Sequence, residues 1–126
     1  MIQHIALTVN NSDEIERFYE EILLFKTERR FVINGDISKM IFDMDQATEV
    51  FVLGHQNDHF EVFISPQTEK KVFAHVCMAY WRAGILHEKA VEAGYKTVVK
   101  ENPGCNTYFI WDKSGNMFEI KESIDV

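Results

Sequence analysis

The chain contains its own repeat. His4-Ile5-Ala6-Leu7 recurs 71 residues later as His75-Val76-Cys77-Met78, and Ile15 matches Leu86 at the same offset. Phe60-Glu61-Val62 recurs after 58 residues as Phe118-Glu119-Ile120. A sequence of this kind is expected to fold as two copies of one unit. The shorter second offset makes the first copy 13 residues longer, and the pattern places the extra length in residues 34–47.

Each copy reads as βαβββ. Residues 2–9 alternate as a strand, and Asn10-Asn11-Ser12-Asp13 stops it and offers helix N-caps. Ile15, Phe18, Tyr19, Ile22 and Leu23 then recur at helical spacing, opposite Glu14, Glu16, Arg17, Glu20 and Glu21. Lys26 to Ile33 follows as a strand, and Asn34-Gly35-Asp36 as a turn; Ile37 to Met44 is too short to assign and fits a helical turn. Strands over Thr48 to Leu53 and Phe60 to Ile64 are expected to flank a hairpin loop from Gly54 to Asp58.

The second copy predicts a strand over Val72 to Tyr80 and a helix over Ile85 to Ala93, stopped by Gly94. Strands over Tyr95 to Lys100, Thr107 to Trp111 and Met117 to Lys121 complete it. The expected organisation is one α+β domain over 1–126, with repeat one at 1–65, a linker at 66–71 and repeat two at 72–122. At 126 residues, with 46% hydrophobic and 13% aromatic residues, one core is expected to form without metal or disulfide staples.

The net charge of −7, with no basic run longer than Lys70-Lys71, argues against nucleic acid as a partner. No apolar run approaches a membrane span, and the first residues lack the charged start and apolar stretch of a signal peptide. Cys77 and Cys105 have no C-x-x-C spacing and read as free thiols, which fits the cytoplasm.

Strand alternation says which way the titratable groups point. His4, Ala6 and Thr8 oppose Ile5, Leu7 and Val9; His75, Cys77 and Ala79 oppose Val76, Met78 and Tyr80. Glu61 opposes Phe60 and Val62, and Glu119 opposes Phe118 and Ile120. If the bulky rows pack under the helices, both His and both Glu face away from them. Should the two half-sheets curl together, His4, Glu61, His75 and Glu119 meet in one cleft.

Two imidazoles and two carboxylates suit a divalent ion such as Zn, Ni, Co, Mn or Fe, and leave two octahedral positions for a substrate with adjacent oxygens. Glu61 or Glu119, loosened by substrate, is then placed to take a proton as the catalytic base. Taken singly, a strand His is more often a hydrogen-bonded or surface group and a strand Glu a solvated one. Their recurrence in both halves favours the ligand reading.

His4-Ile5-Ala6-Leu7-Thr8-Val9, Arg17 to Leu23, His75-Val76, Ala90 to Gly94 and Tyr108 to Ile120 together resemble the vicinal oxygen chelate superfamily. That superfamily includes glyoxalase I, bleomycin and fosfomycin resistance proteins, and extradiol dioxygenases. The resemblance covers nearly the whole chain and implies curled mixed sheets around a cleft, with metal at His4, Glu61, His75 and Glu119. That ligand set is of the glyoxalase I type and implies lyase or isomerase chemistry, lactoylglutathione lyase among the candidates. It also implies a homodimer whose sites are shared between chains. Two departures touch no ligand: Leu23-Leu24-Phe25 stands for the usual Leu-Gly-Phe, and Lys113 for a turn proline.

No glutathione-carboxylate clamp is identifiable among Arg17, Arg29, Arg30 and Arg82. His55 and His59 are candidates for an extra ligand, although loop histidines usually have no such role. Tyr80, Trp81 and Arg82 are placed near a cleft rim, and Cys105 in a surface loop without a base. Two rival readings follow from the same residues: a metal-free small-molecule binding protein, and an iron oxygenase using two His and one Glu.

Overall fold

The computed structural model describes residues 1–66 and 71–124. The chain divides into two compact units, Met1–Gln67 and Thr68–Val126; residues 67–70 of the linker expected at 66–71 lie outside the described residues. The first contains strands β1 (Ile5–Val9), β2 (Lys26–Ile33), β3 (Thr48–His55) and β4 (Asp58–Ile64), with a π-helix at Ile15–Glu20 and helix α1 at Gly35–Phe42. The second contains β5 (His75–Tyr80), helix α2 (Ala83–Glu92), β6 (Thr97–Lys100), β7 (Thr107–Trp111) and β8 (Met117–Glu122).

The two sheets have one topology. Their strand orders are β1-β4-β3-β2 and β5-β8-β7-β6. In each, the first strand pairs in parallel with the last, and the remaining pairs are antiparallel. The mixed sheets follow from the repeat: a helix carries the chain away from the first strand, a three-strand meander follows, and its last strand docks beside the first.

The alternation holds in burial. Val9, Phe60 and Val62 are buried, as are Ile15, Phe18 and Tyr19 of the π-helix, and Tyr19 meets Phe60 edge-on; Phe118 and Ile120 are fully buried in the second unit, where Leu86 and Ala90 of α2 are also buried. In the first unit Phe18 meets Tyr19 edge-on, and Phe25 stacks on Phe60 at 4.6 Å between centroids. Such aromatic pairs add about 0.5–1.5 kcal/mol each beyond burial.

Three local expectations are corrected, and one stretch left open is assigned. The first helix is wound as a π-helix, with the Glu21 and Leu23 amides bonding the Glu16 and Phe18 carbonyls; the wide turn keeps both Phe18 and Tyr19 out of water. The 34–47 stretch contains a true α-helix, because Asn34 caps it by accepting from the Ile37 amide at 2.8 Å. Gly54 lies inside β3, so the hairpin turns more tightly, at Gln56-Asn57. Strands β1 and β5 begin at Ile5 and His75, later than expected.

A buried knot sets the start of β8. Asp112 accepts from the Ser114 and Asn116 amides at 3.0 and 2.9 Å and from the Asn116 side chain at 2.8 Å. At the far end Glu122 accepts from the Arg82 and Ala83 amides, satisfying the N-terminus of α2. No helix among the described residues is long and apolar enough to cross a membrane.

Candidate functional site

Strand register brings each His to the Glu of its own half. Ala6 is the cross-strand partner of Glu61, so His4, one alternation earlier, shares its face. The His4 Nδ1 lies 3.5 Å from a Glu61 oxygen, with the side chains 46% and 21% exposed. In the second unit Cys77 is the partner of Glu119 and His75 precedes it by one alternation. Here the His75 Nε2 lies 3.1 Å from Glu119 Oε1.

The second pair is oriented from behind. The His75 Nδ1 donates to the Phe73 carbonyl at 2.8 Å, which leaves Nε2 as the nitrogen facing the carboxylate. A ring nitrogen and a carboxylate oxygen that face one another both present lone pairs, so a cation must lie between them: a proton or a metal ion. The bond to Phe73 is the main reason the imidazolium is held above its ordinary 6.5; burial opposes it and Glu119 adds to it. A ring tied through Nδ1 to a backbone carbonyl is also the arrangement that readies Nε2 for a divalent ion.

Each pair offers one nitrogen and one carboxylate, a donor set that fits borderline divalent ions. Among the described residues, no three His, Cys, Asp or Glu side chains form a group able to hold an ion unaided. Each pair alone thus supplies two ligands. Cys77 shares the face of His75 and Glu119, but burial, and then the Glu119 charge, push its thiol up, so it stays protonated near neutrality. Both cysteines are free and exposed.

One neighbour was not assigned from the sequence. Lys121 places Nζ 3.5 Å from the second oxygen of Glu119, a cation beside the candidate ligand; its alternation with Glu119 was the available signal. On the first sheet His59 shares the Glu61 face but meets Glu28 at 3.2 Å, where the ladder shifts between Thr27 and Arg29. His55 packs against Phe25 instead.

Arg29 lies in one cross-strand row with Val52, Glu61 and Ala6, which places a cation on the site's face of the first sheet. Its guanidinium also stands over Phe31. Arg30 pairs with Glu49, and Arg82 stands over the exposed Trp81. Tyr80 is buried at the end of β5.

On the His4 and Glu61 face, the first sheet is partly roofed by α1. Phe42 meets Phe63 edge-on at 5.4 Å, and a cavity of about 240 Å³ opens between helix and sheet.

The fold recurs in solved structures. A glyoxalase family protein from Bacillus cereus superposes with TM-score 0.77 at 15% identity, covering 96% of this chain and 92% of that one. A glyoxalase family protein from Enterococcus faecalis gives 0.70 at 18%, covering 95% of each chain. A mutant fosfomycin resistance protein, FosX, from Listeria monocytogenes, complexed with Mn(II) and a dihydroxypropylphosphonic acid, gives 0.73 at 10%, covering 96% and 90%. No curated protein matches the chain. A family model does match, over residues 1–120. With the duplicated strand order, the repeated His–Glu pairs and that match in agreement, the chain belongs to the glyoxalase/bleomycin resistance protein/dioxygenase superfamily.

Proposed function

We propose that this protein is a divalent-metal-dependent lyase or isomerase of the glyoxalase I type, acting in the cytoplasm on a small substrate with adjacent oxygens. The observation that carries the reading is the His75 ring, tied to the Phe73 carbonyl on one side and aimed at Glu119 on the other. His4 and Glu61 repeat the pairing in the first unit. We assign His4, Glu61, His75 and Glu119 as the ligands of Zn, Ni, Co, Mn or Fe. Because each pair supplies two ligands, we assign the working form as a homodimer in which each site takes one pair from each chain.

When bound, the ion supplies Lewis-acid stabilisation of negative charge on the substrate oxygens. The chain's residues do the rest. The Phe73 carbonyl keeps His75 in one tautomer. Glu61 or Glu119 accepts the substrate proton and returns it, since a carboxylate set beside an imidazole is a base that can be recharged. Lys121 and Arg29 offer cations to a negatively charged substrate edge. The Mn(II) complex of the Listeria FosX supports a divalent ion in this fold, and its dihydroxy ligand supports a substrate rich in neighbouring oxygens.

Elemental analysis of the purified protein, beside His75→Ala, tests the reading. Stoichiometric divalent metal in the parent and its loss in the variant are expected, followed by turnover of methylglyoxal hemithioacetal. Absence of metal would leave a binding protein, and iron would favour an oxygenase. A metal-loaded protein inert towards the hemithioacetal would move the substrate elsewhere.

A further inference from the structure

The extra length of the first repeat forms the roof of a chamber beside the His4 and Glu61 pair. Phe63 lies two residues beyond Glu61 on β4, in register with Thr8 of β1, so one residue layer of about 7 Å separates the pair from the chamber floor. Ala6, the partner of Glu61, lines the near side of the cavity, and Phe63 and Thr8 form its floor. Ser38 and Phe42 of α1 face them across it. The Gln46 side chain, bonded to the Ser65 hydroxyl at 2.8 Å, ties the chain leaving α1 to the end of β4.

Size and charge together define what fits. A cavity of about 150 Å³ holds benzene, so one of about 240 Å³ holds a ring with a few further atoms. Every lining residue is uncharged. A carboxylate or phosphonate placed there would lose its hydration with no cation to replace it. Apolar surface dominates the lining, with Thr8, Ser38, Gln46, Thr48 and Ser65 as uncharged polar points, two of which, Gln46 and Ser65, bond each other.

We infer that this chamber is the specificity pocket of the site, taking a compact, uncharged phenyl or branched alkyl group carried next to the substrate's oxygen pair. The inference rests on the metal-site reading for its chelating half and on the chamber alone for its apolar half. The substrate class is thereby an aryl- or alkyl-substituted compound with adjacent oxygens. A bare three-carbon dicarbonyl would leave the chamber unfilled.

Two hydroxamates and an alcohol test it. In the Zn(II)-treated protein, benzohydroxamate is expected to bind about tenfold more tightly than acetohydroxamate, the order expected for filling an apolar pocket. Ser38→Phe fills the chamber from above and Phe42→Ala removes its roof; each is expected to abolish the preference. In the metal-free protein, benzyl alcohol, which has no adjacent oxygens, is expected to shift the amide signals of Thr8, Ser38 and Phe63. That shift without binding of either hydroxamate would uphold the chamber and defeat the metal site. Equal affinities for the two hydroxamates, or benzyl alcohol leaving those three amides unmoved, would overturn the inference.

Discussion

Gly54 and Glu28 occupy complementary space: a Cβ on Gly54 would strike Glu28 Oε2, while Oε1 of the same carboxylate meets His59 at 3.2 Å. Gly54 is also the cross-strand partner of His59. The missing side chain therefore determines which group His59 touches. The atom that would be struck ends a flexible side chain, so Gly54→Ala should fold, losing about 1 kcal/mol or less. The His59 ring signals should move as Glu28 is displaced. Ring signals identical to the parent would show that Gly54 does not govern this pair.

His75 gives a pH prediction with a definite sign. Its imidazolium is held above 6.5 by the Phe73 carbonyl first, then, against the opposing effect of burial, by Glu119. A raised histidine stabilises the metal-free fold fully below about pH 6.5, and the contribution disappears as pH rises through the folded value. Thermal midpoints of metal-free protein should therefore fall across that window, and less so in Glu119→Gln. Divalent ions should show the opposite trend, binding more tightly as pH rises, because they displace the same proton. A midpoint profile identical in parent and variant would remove Glu119 from the linkage, and midpoints that do not fall across the window in the parent would refute it.

Lys121 competes for the carboxylate that an ion would use. Lys121→Met removes that cation and should raise divalent-ion affinity about two- to fivefold, the range of an exposed ion pair. Calorimetric titration of Zn(II) into both proteins measures it. Weaker binding in the variant would assign Lys121 a supporting role instead.

Asp112 is the clearest stability prediction. Its carboxylate satisfies two buried backbone amides and one buried side chain in the turn before β8. Asp112→Ala should cost about 2–4 kcal/mol, read from the denaturant midpoint, because the amides keep their desolvation cost without their acceptor. A cost near zero would mean that the turn does not need this side chain to hold.

The sequence was most legible where one residue pattern answered one physical demand. Lys26–Ile33 and Thr107–Trp111 form strands with the expected limits, since alternation bounded by turn residues has few other solutions. The faces of Glu61 and Glu119 were legible for the same reason: a period of two leaves no third direction. Gly54 misled because glycine signals a turn and a steric gap equally well, and only the position of Glu28 across the ladder distinguishes them. The π-helix carries the apolar spacing of an α-helix, so its winding was invisible. The chamber depends on how an eight-residue helix lies against a sheet, and no spacing in 34–47 encodes that.

The parallel pairing of first and last strands has a kinetic consequence. Hairpins such as β3–β4 close locally, whereas His75 must find a carboxylate 44 residues away, a slow, late encounter. Whatever cation bridges imidazole and carboxylate therefore clips the opening strand of a half to its closing strand. Occupancy should register as slower hydrogen exchange along β1 and β5, since peeling either strand must first release that clip.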